Sequence, residues 1–181
     1  MNNSITYIPI PRRDIDEMIV EVTHLSANSS GALLDEIHIE QPIFLDFMEY
    51  LTDHSLVSND PSVFSQSEYR YIYLISVVML KVLIDSRHIF REVTWDDLNA
   101  TIAATQPLAN EIFANPAGLA DIVNQLAENH PEPDLLRFLS DACHQRLDDH
   151  PDQPPIRAVY RSRAFLILYT ILTSVMNNRE E

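Results

Sequence analysis

The sequence has little glycine, little cysteine and little positive charge. Its 181 residues include two glycines and one cysteine, Cys143. Two glycines are too few for a glycine-rich phosphate-binding loop, and they disfavour a sheet built from tight hairpins. A single cysteine excludes an internal disulfide framework and a zinc site made of several thiolates. These absences together favour a helical protein.

Acidic residues greatly outnumber basic ones. There are 27 Asp and Glu against 12 Lys and Arg, which gives a formal net charge of −15. Such a charge repels phosphate backbones and anionic lipid head groups, so we expect no direct binding of nucleic acid or of a membrane. Residues 1–91 carry 13 acids and 6 bases, and residues 92–181 carry 14 and 6. This even surplus indicates a solvated surface or a surface that attracts a basic partner.

The chain also lacks a long apolar run. Residues 71–80 are uncharged up to Lys81, and residues 164–176 are uncharged. Both stretches are shorter than the roughly 18 to 20 residues that cross a bilayer, so we predict helices buried in a protein core. The first eleven residues lack the cationic and apolar regions of a secretory signal. We therefore expect a cytoplasmic protein.

Apolar residues recur at spacings of three and four through most of the chain, as in amphipathic helices. We predict a single domain, residues 1–181, that folds as an all-α bundle of about seven or eight helices. Residues 26–31 are predicted to end the first helix, Pro107 to end the fifth near Thr105, and residues 5–10 are the only strand candidate. The predicted helices cover residues 14–25, 32–40, 42–53, 65–85, 94–105, 116–128 and 133–147, with a last one ending near 177.

Two helix starts have characteristic sequences. Ser65 and Glu68 fit a capping box, in which the serine hydroxyl group accepts a backbone N–H and the glutamate reaches back. Thr94 is followed by Trp95 and two aspartates, whose charge suits the positive end of a helix dipole. Trp95 is expected to anchor the core.

A shift of 91 residues aligns the two halves of the chain without a gap over residues 42–86. In both halves a proline-led amphipathic helix precedes a polar connector and a nearly uncharged helix. We predict an internal repeat, residues 12–91 and 92–178, that packs about a pseudo-twofold axis. The alternative is a chance match, since any helical protein offers partial matches of this kind. The identical pairs are Pro42 and Pro133, Leu45 and Leu136, Phe47 and Phe138, Leu56 and Leu147, Tyr69 and Tyr160, and Arg70 and Arg161.

Four histidines follow an acidic residue by three positions, a spacing that supplies di-iron ligands in four-helix bundles. On the first helix, however, Glu21 and His24 lie about 90° and 150° from the centre of the apolar stripe. Ligands of a buried metal must point inward, so we predict surface pairs, no metal centre and no cofactor. The four pairs are Glu21 and His24, Asp35 and His38, Asp85 and His88, and Asp141 and His144.

The candidate binding residues are two Tyr-Arg pairs, Tyr69–Arg70 and Tyr160–Arg161. Each arginine lies early in an otherwise apolar helix, where a buried guanidinium group needs a carboxylate or carbonyl partner. One interpretation is a structural ion pair with a nearby acid. The other is a symmetric pocket for a small anion, in which the tyrosine hydroxyl groups assist.

No known catalytic motif is present in the sequence. Cys143 falls on the apolar face of its helix and is predicted to be an inert buried thiol. The chain resembles small bacterial helical proteins in general character, but no motif identifies a family. We predict a non-catalytic protein that forms a dimer or docks a protein partner. The alternatives are a helical domain that binds a small molecule or a metal, with or without enzymatic activity, and an acidic inhibitor of a basic nucleic-acid-binding protein.

Overall fold

The computed structural model describes residues 8–56, 64–86, 88–145 and 156–180. These residues form eight α-helices and no β-sheet, which confirms the predicted all-α bundle. Residues 8–10 lie outside any strand, and the rest of the strand candidate falls outside the described residues. The helices are α1 (Arg12–Thr23), α2 (Ala27–Glu40), α3 (Pro42–Leu56), α4 (Gln66–Asp85), α5 (Trp95–Ala114), α6 (Leu119–Ala127), α7 (Pro133–His144) and α8 (Ala158–Asn177).

Helices α4 and α8, which contain the uncharged stretches, form the centre of the fold. They pack against each other, α1 lies on α4, α5 lies on α8, and α7 contacts both central helices. Ile75 and Met79 of α4 and Phe165 and Leu168 of α8 are fully buried. The uncharged stretches therefore lie in the protein interior, where a charge would be costly.

Both predicted helix caps are present. Ser65 Oγ accepts the backbone N–H of Glu68 (3.3 Å), and the N–H of Ser65 donates to Glu68 Oε2 (2.7 Å). Thr94 and Asp97 form the same reciprocal pair at the start of α5, with distances of 3.2 and 3.0 Å. These contacts satisfy N–H groups that the first turn of a helix leaves without partners, and so they fix where α4 and α5 begin.

Two predicted helix boundaries are wrong. Ser26 caps α2 by accepting the N–H of Ser29 (3.3 Å), so the segment predicted to end α1 already forms the first turn of α2. Helix α5 continues through Pro107 to Ala114. Pro107 is exposed, as is Ala103, whose carbonyl group loses its intrahelical donor at this proline. Water can therefore satisfy that carbonyl group, and the helix need not end.

Trp95 does not anchor the core as predicted. Its side chain is 45% exposed, and its indole ring meets the ring of Phe47 edge-on at 6.4 Å between centroids. The capping position of Thr94 turns the first residue of α5 toward the surface, so the tryptophan only covers the edge of α3.

Some helix boundaries in the two halves follow the shift of 91 residues, whereas α1 and α5 begin only 83 positions apart. Helices α3 and α7 begin at Pro42 and Pro133, and α4 and α8 are each 20 residues long. The paired residues Tyr69 and Tyr160 are both buried, with 6% and 8% of their surface exposed. The internal repeat itself stays a prediction, which superposing the two halves would test.

Candidate functional site

The two Tyr-Arg pairs are placed differently in the structure. Tyr69 and Tyr160 are buried, whereas Arg70 is exposed to solvent and Arg161 is half-buried. Arg161 Nε donates to the carbonyl group of Ile156 (3.2 Å), which precedes its own helix. None of the four residues lines the cleft described below. The anion pocket that would unite the pairs therefore stays a prediction.

The strongest ionic contact near these pairs joins Glu68 to Arg157. Glu68 is 1% exposed, and both of its oxygens accept hydrogen bonds from the Arg157 guanidinium group (2.9 and 2.8 Å). Burial opposes ionisation of Glu68, but the bonds from Arg157 and Ser65 outweigh it and lower the pKa to about 2. The guanidinium group also lies over the ring of Tyr160, 4.3 Å from its centroid. These contacts connect the start of α4 to the start of α8.

The acid-histidine pairs lie at the surface, as their register predicts. All of their residues are exposed except His88, which is half-buried. His24 and His144 each use Nδ1 to bond a carbonyl oxygen one turn earlier in their own helices, at 2.8 Å. Within the described residues, no group of three or more His, Cys, Asp or Glu side chains could hold a metal ion.

Cys143 is fully buried on α7. Burial raises the pKa of its thiol to about 12. The thiolate, which is the nucleophilic form, is therefore scarce near neutral pH. This residue packs the core, as the sequence indicated.

A cleft lies between the N-terminal segment Ile8–Pro11, helix α1 and the end of α4. Its volume is about 570 Å³, within the usual range for ligand-binding clefts. We call it the acidic cleft, because its described lining residues include four carboxylates and no lysine or arginine. The lining residues are Ile8, Pro9, Ile10, Pro11, Asp14, Glu17, Met18, Glu21, Val82, Asp85, Ser86 and His88.

Basic side chains around the acidic cleft neutralise part of its charge. Arg13 lies 3.1 Å from Asp14 and 3.5 Å from Glu17, but it is 79% exposed. Lys81 Nζ lies 2.6 Å from Asp85 and is shared with Glu36 at 3.1 Å. Glu21 has no ion pair within the described part of the chain. The described rim of the cleft therefore stays net negative, since Glu21 has no ion pair there and the exposed pairs of Arg13 exchange readily with solvent.

Three polar contacts hold the segment that walls the cleft. The carbonyl group of Ile8 accepts from Nε2 of His88 (3.1 Å), which assigns that ring proton to Nε2. The N–H of Ile10 donates to Glu132 Oε2 (2.9 Å), and the N–H of Arg12 donates to Asp134 Oδ2 (3.2 Å). Pro9 and Pro11 have no N–H, so the bond to Glu132 is the one backbone donation available between Ile8 and Arg12.

Glu132 is an unusual partner for this segment. It is 0% exposed, and Oε1 has no hydrogen-bond partner among the described residues. Burial raises the pKa of its carboxyl group to about 7; the bond from Ile10 and the charge of Arg179 limit the rise, while Asp134 adds to it. The backbone N–H of Glu132 donates to Nδ1 of His130 (3.0 Å). Burial lowers the pKa of His130, so this ring is predominantly neutral at pH 7.

Gln41 makes the matching contact in the other half of the molecule. It precedes Pro42 as Glu132 precedes Pro133, and it is 3% exposed. Its Oε1 accepts the N–H of Val93 (3.0 Å), and its Nε2 donates to the carbonyl group of Arg91 (3.0 Å). Both ends of this amide are therefore satisfied.

Part of this site has a signal in the sequence. Asp14, Glu17 and Glu21 recur at spacings of three and four, which places them along one side of α1 beside Met18. Glu132 carries no local signal, because its contact with Ile10 spans 122 positions. The shift of 91 residues aligns Glu132 with Gln41. Because the two residues are not identical, a comparison of identical residues does not include this pair.

No helix within the described residues has the length and apolar character that crossing a bilayer requires. Comparison with protein-family models, with curated proteins and with solved structures finds no match to this chain.

Proposed function

We propose that this protein is a non-catalytic binding module that takes up a basic, amphipathic segment of a partner protein in the acidic cleft. The observation that carries the proposal is the composition of the cleft. Apolar side chains, among them Ile10, Met18 and Val82, line it together with four carboxylates, and none of its described lining residues is a lysine or an arginine. A segment with one apolar side and one cationic side complements both features.

The chemistry of the cleft favours binding over catalysis. His88, its only imidazole, is engaged with the carbonyl group of Ile8 and stacks edge-on against Phe90. The described lining residues include no cysteine and a single hydroxyl group, that of Ser86, which donates to the carbonyl group of Leu83 at 2.6 Å. A nucleophile poised beside a free base is the arrangement that covalent catalysis requires, and these contacts do not provide it.

The test is binding of a labelled helical peptide with a leucine face and a lysine face, followed by fluorescence anisotropy. We expect binding that weakens as salt rises, because rim carboxylates are screened. A scrambled peptide of the same composition, which has no apolar face, should bind more weakly. Equal binding of both peptides would contradict the proposal, since it would show only bulk charge attraction.

Matched variants locate the binding site. Glu17→Gln with Glu21→Gln removes two charges from the cleft and should weaken peptide binding by about tenfold. The control, Glu111→Gln with Glu128→Gln, removes two exposed charges from α5 and from the residue after α6. The proposal fails if the two double variants lose the same affinity. Binding of a small organic cation in place of the peptide would also overturn it.

A second candidate is self-association through α5. Residues 98–110 carry no charge, although this is a strongly acidic chain, and many of them are exposed. Trp95, Ile102 and Phe113 lie along one side of this helix and are 45%, 41% and 52% exposed. Two copies of the chain repel each other least where carboxylates are absent, and depletion of charge is typical of interface cores.

Sedimentation velocity over a range of concentrations tests the second candidate. Ile102→Glu should remove the dimer, whereas Val159→Glu adds the same charge at a residue that is 79% exposed on α8 and should leave it intact. Added salt should strengthen the dimer, because it screens repulsion between copies, and should weaken peptide binding in the cleft. A monomer at every concentration would exclude self-association.

A further inference from the structure

The wall of the acidic cleft is attached to the protein body through a buried carboxyl group. The Ile10 N–H donates to Glu132 Oε2, while Oε1 has no partner among the described residues. An ionised carboxylate accepts hydrogen bonds only, whereas a protonated one has a donor and an acceptor, as the amide of Gln41 has. A buried charge with one hydrogen bond is unfavourable, and opening the segment to water relieves that cost.

We propose that Glu132 is a pH-sensitive latch: its protonated form holds the segment Ile8–Pro11 closed along the cleft, and its ionisation favours opening of that wall. As a means of regulating partner binding, the latch rests on the proposed function of the cleft. As a conformational device, it rests on the contact between the buried Glu132 and Ile10 and on the lack of a described partner for Oε1.

The groups around Glu132 agree with this assignment. The segment Ile8–Pro11 carries no charged side chain. From the end of α8, Arg179 favours the ionised carboxyl group, whereas Asp134 on α7 opposes it. Arg12 on α1 is already bonded to Asp16 (2.9 Å) and Asp141 (3.0 Å).

His130 completes the surroundings from the loop before α7. Its Nδ1 accepts the backbone N–H of Glu132, so in this arrangement that nitrogen presents no proton to the carboxyl group. Burial lowers the pKa of His130 and so disfavours a charged ring beside Glu132.

The direction of the pH effect follows from linkage. The pKa of the carboxyl group is about 7 in the closed state and returns toward its ordinary value of 4.5 when water reaches it. Closure is therefore most favourable below about pH 4.5 and weakens until the pH passes about 7. Between pH 5 and pH 8 the opening equilibrium constant should rise by about 70-fold.

Amide hydrogen exchange measures the latch directly, because the Ile10 N–H is the bonded donor. After correction for intrinsic exchange, protection of Ile10 should fall by about 70-fold from pH 5 to pH 8. Val93, whose N–H donates to the non-titrating amide of Gln41, is the internal control and should change little. In Glu132→Gln, protection of Ile10 should become as independent of pH as that of Val93.

Two outcomes would overturn the latch. One is that, in the unaltered protein, the protection of Ile10 changes no more between pH 5 and pH 8 than the protection of Val93 does. The other is a fall in Ile10 protection that persists in Glu132→Gln.

The regulatory role has a separate readout. At pH 8, bound lysine-leucine peptide should restore the protection of Ile10, and a peptide that binds without restoring it would exclude the regulatory role. If the peptide binds at neither pH but the exchange of Ile10 still depends on pH, the proposed function is rejected and the latch is still supported.

Discussion

Gln41 and Glu132 occupy corresponding places in the two halves of the molecule and make corresponding contacts. Each lies directly before the proline that begins α3 or α7. Each accepts the N–H of a buried residue two positions before a helix of the opposite half, Val93 before α5 and Ile10 before α1. Gln41 and Glu132 are 91 positions apart, whereas Ile10 and Val93 are 83 positions apart, so the pseudo-twofold arrangement stays a prediction.

The two sites differ in one chemical group. The amide of Gln41 also donates to the carbonyl group of Arg91, whereas Oε1 of Glu132 has no partner among the described residues. An amide can accept a hydrogen bond from a backbone N–H and donate one to a C=O at the same time, but a carboxylate can only accept from the N–H. The contact made by Gln41 therefore does not titrate, whereas the corresponding contact made by Glu132 does.

A third buried side chain shows what an ionised glutamate needs. Glu68 is as deeply buried as Glu132, but it accepts hydrogen bonds from the Arg157 side chain, the Arg157 backbone and the Ser65 backbone. These bonds lower its pKa to about 2, whereas that of Glu132 is raised to about 7. Partner groups, and not depth of burial, decide which of the two is charged at neutral pH.

The largest change in stability is expected when a carboxyl group replaces the amide of Gln41. Gln41→Glu removes the donor to Arg91 and creates a second unpaired carboxylate, so we expect a loss of about 4 kcal/mol in unfolding free energy at pH 8. The loss should be smaller at pH 5, where the carboxyl group is protonated. Urea denaturation at both pH values measures this. Gln125→Glu, at an exposed position of α6, is the control; equal losses in the two variants would contradict the comparison.

The reverse change should stabilise the protein. Glu132→Gln keeps an acceptor for the Ile10 N–H and removes the group that ionises in a buried site. A raised pKa in the folded state lowers stability as the pH rises from about 4.5 to about 7, so the gain should grow from under about 1 kcal/mol at pH 5 to about 3 kcal/mol at pH 8. Thermal unfolding across this range checks it. A gain independent of pH would show that ionisation is not its cause, and Glu128→Gln is the matched surface control.

Removing the partner of the other buried glutamate should have the opposite pH dependence. Arg157→Met leaves Glu68 with backbone donors only, and we expect a loss of about 2 kcal/mol at pH 7. Because the pKa of Glu68 is lowered, the pair stabilises the fold above about pH 4.5, and this contribution disappears as the pH falls through about 2. The difference between variant and parent should therefore shrink in acid. Arg13→Met, in an exposed pair, should cost less than about 0.5 kcal/mol at any pH.

The predictable part of this fold is the local part. The Ser65–Glu68 capping box lies within four consecutive residues, and the sequence therefore predicted where α4 begins. The apolar spacing likewise predicted the all-α class and the buried position of Cys143. The start of α2 and the passage of α5 through Pro107 were missed, because polar residues can either end one helix or cap the next, and an exposed proline need not stop a helix.

The site was less predictable because its contacts are distant along the chain. Arg157 lies 89 positions from Glu68, and Ile10 lies 122 positions from Glu132. Neither residue forms a local pattern with its partner. Glu68 stands out in the sequence only as a member of the capping box, and Glu132 does not differ from the many surface acids. The alignment of Gln41 with Glu132 was available, but its meaning depends on the hydrogen-bond donors that only the fold brings to them.

Exchanging the two side chains should produce the smallest change in overall stability. A protein with both Gln41→Glu and Glu132→Gln still has one amide and one carboxyl group at these positions, so the separate loss and gain should cancel to within about 1 kcal/mol if the sites act independently. The site of pH-sensitive hydrogen exchange, however, should move from Ile10 to Val93. Exchange measured at pH 5 and pH 8 separates the two sites. If Ile10 remains the pH-sensitive amide after the swap, a group other than Glu132 controls that wall, and the correspondence between the halves is only geometric.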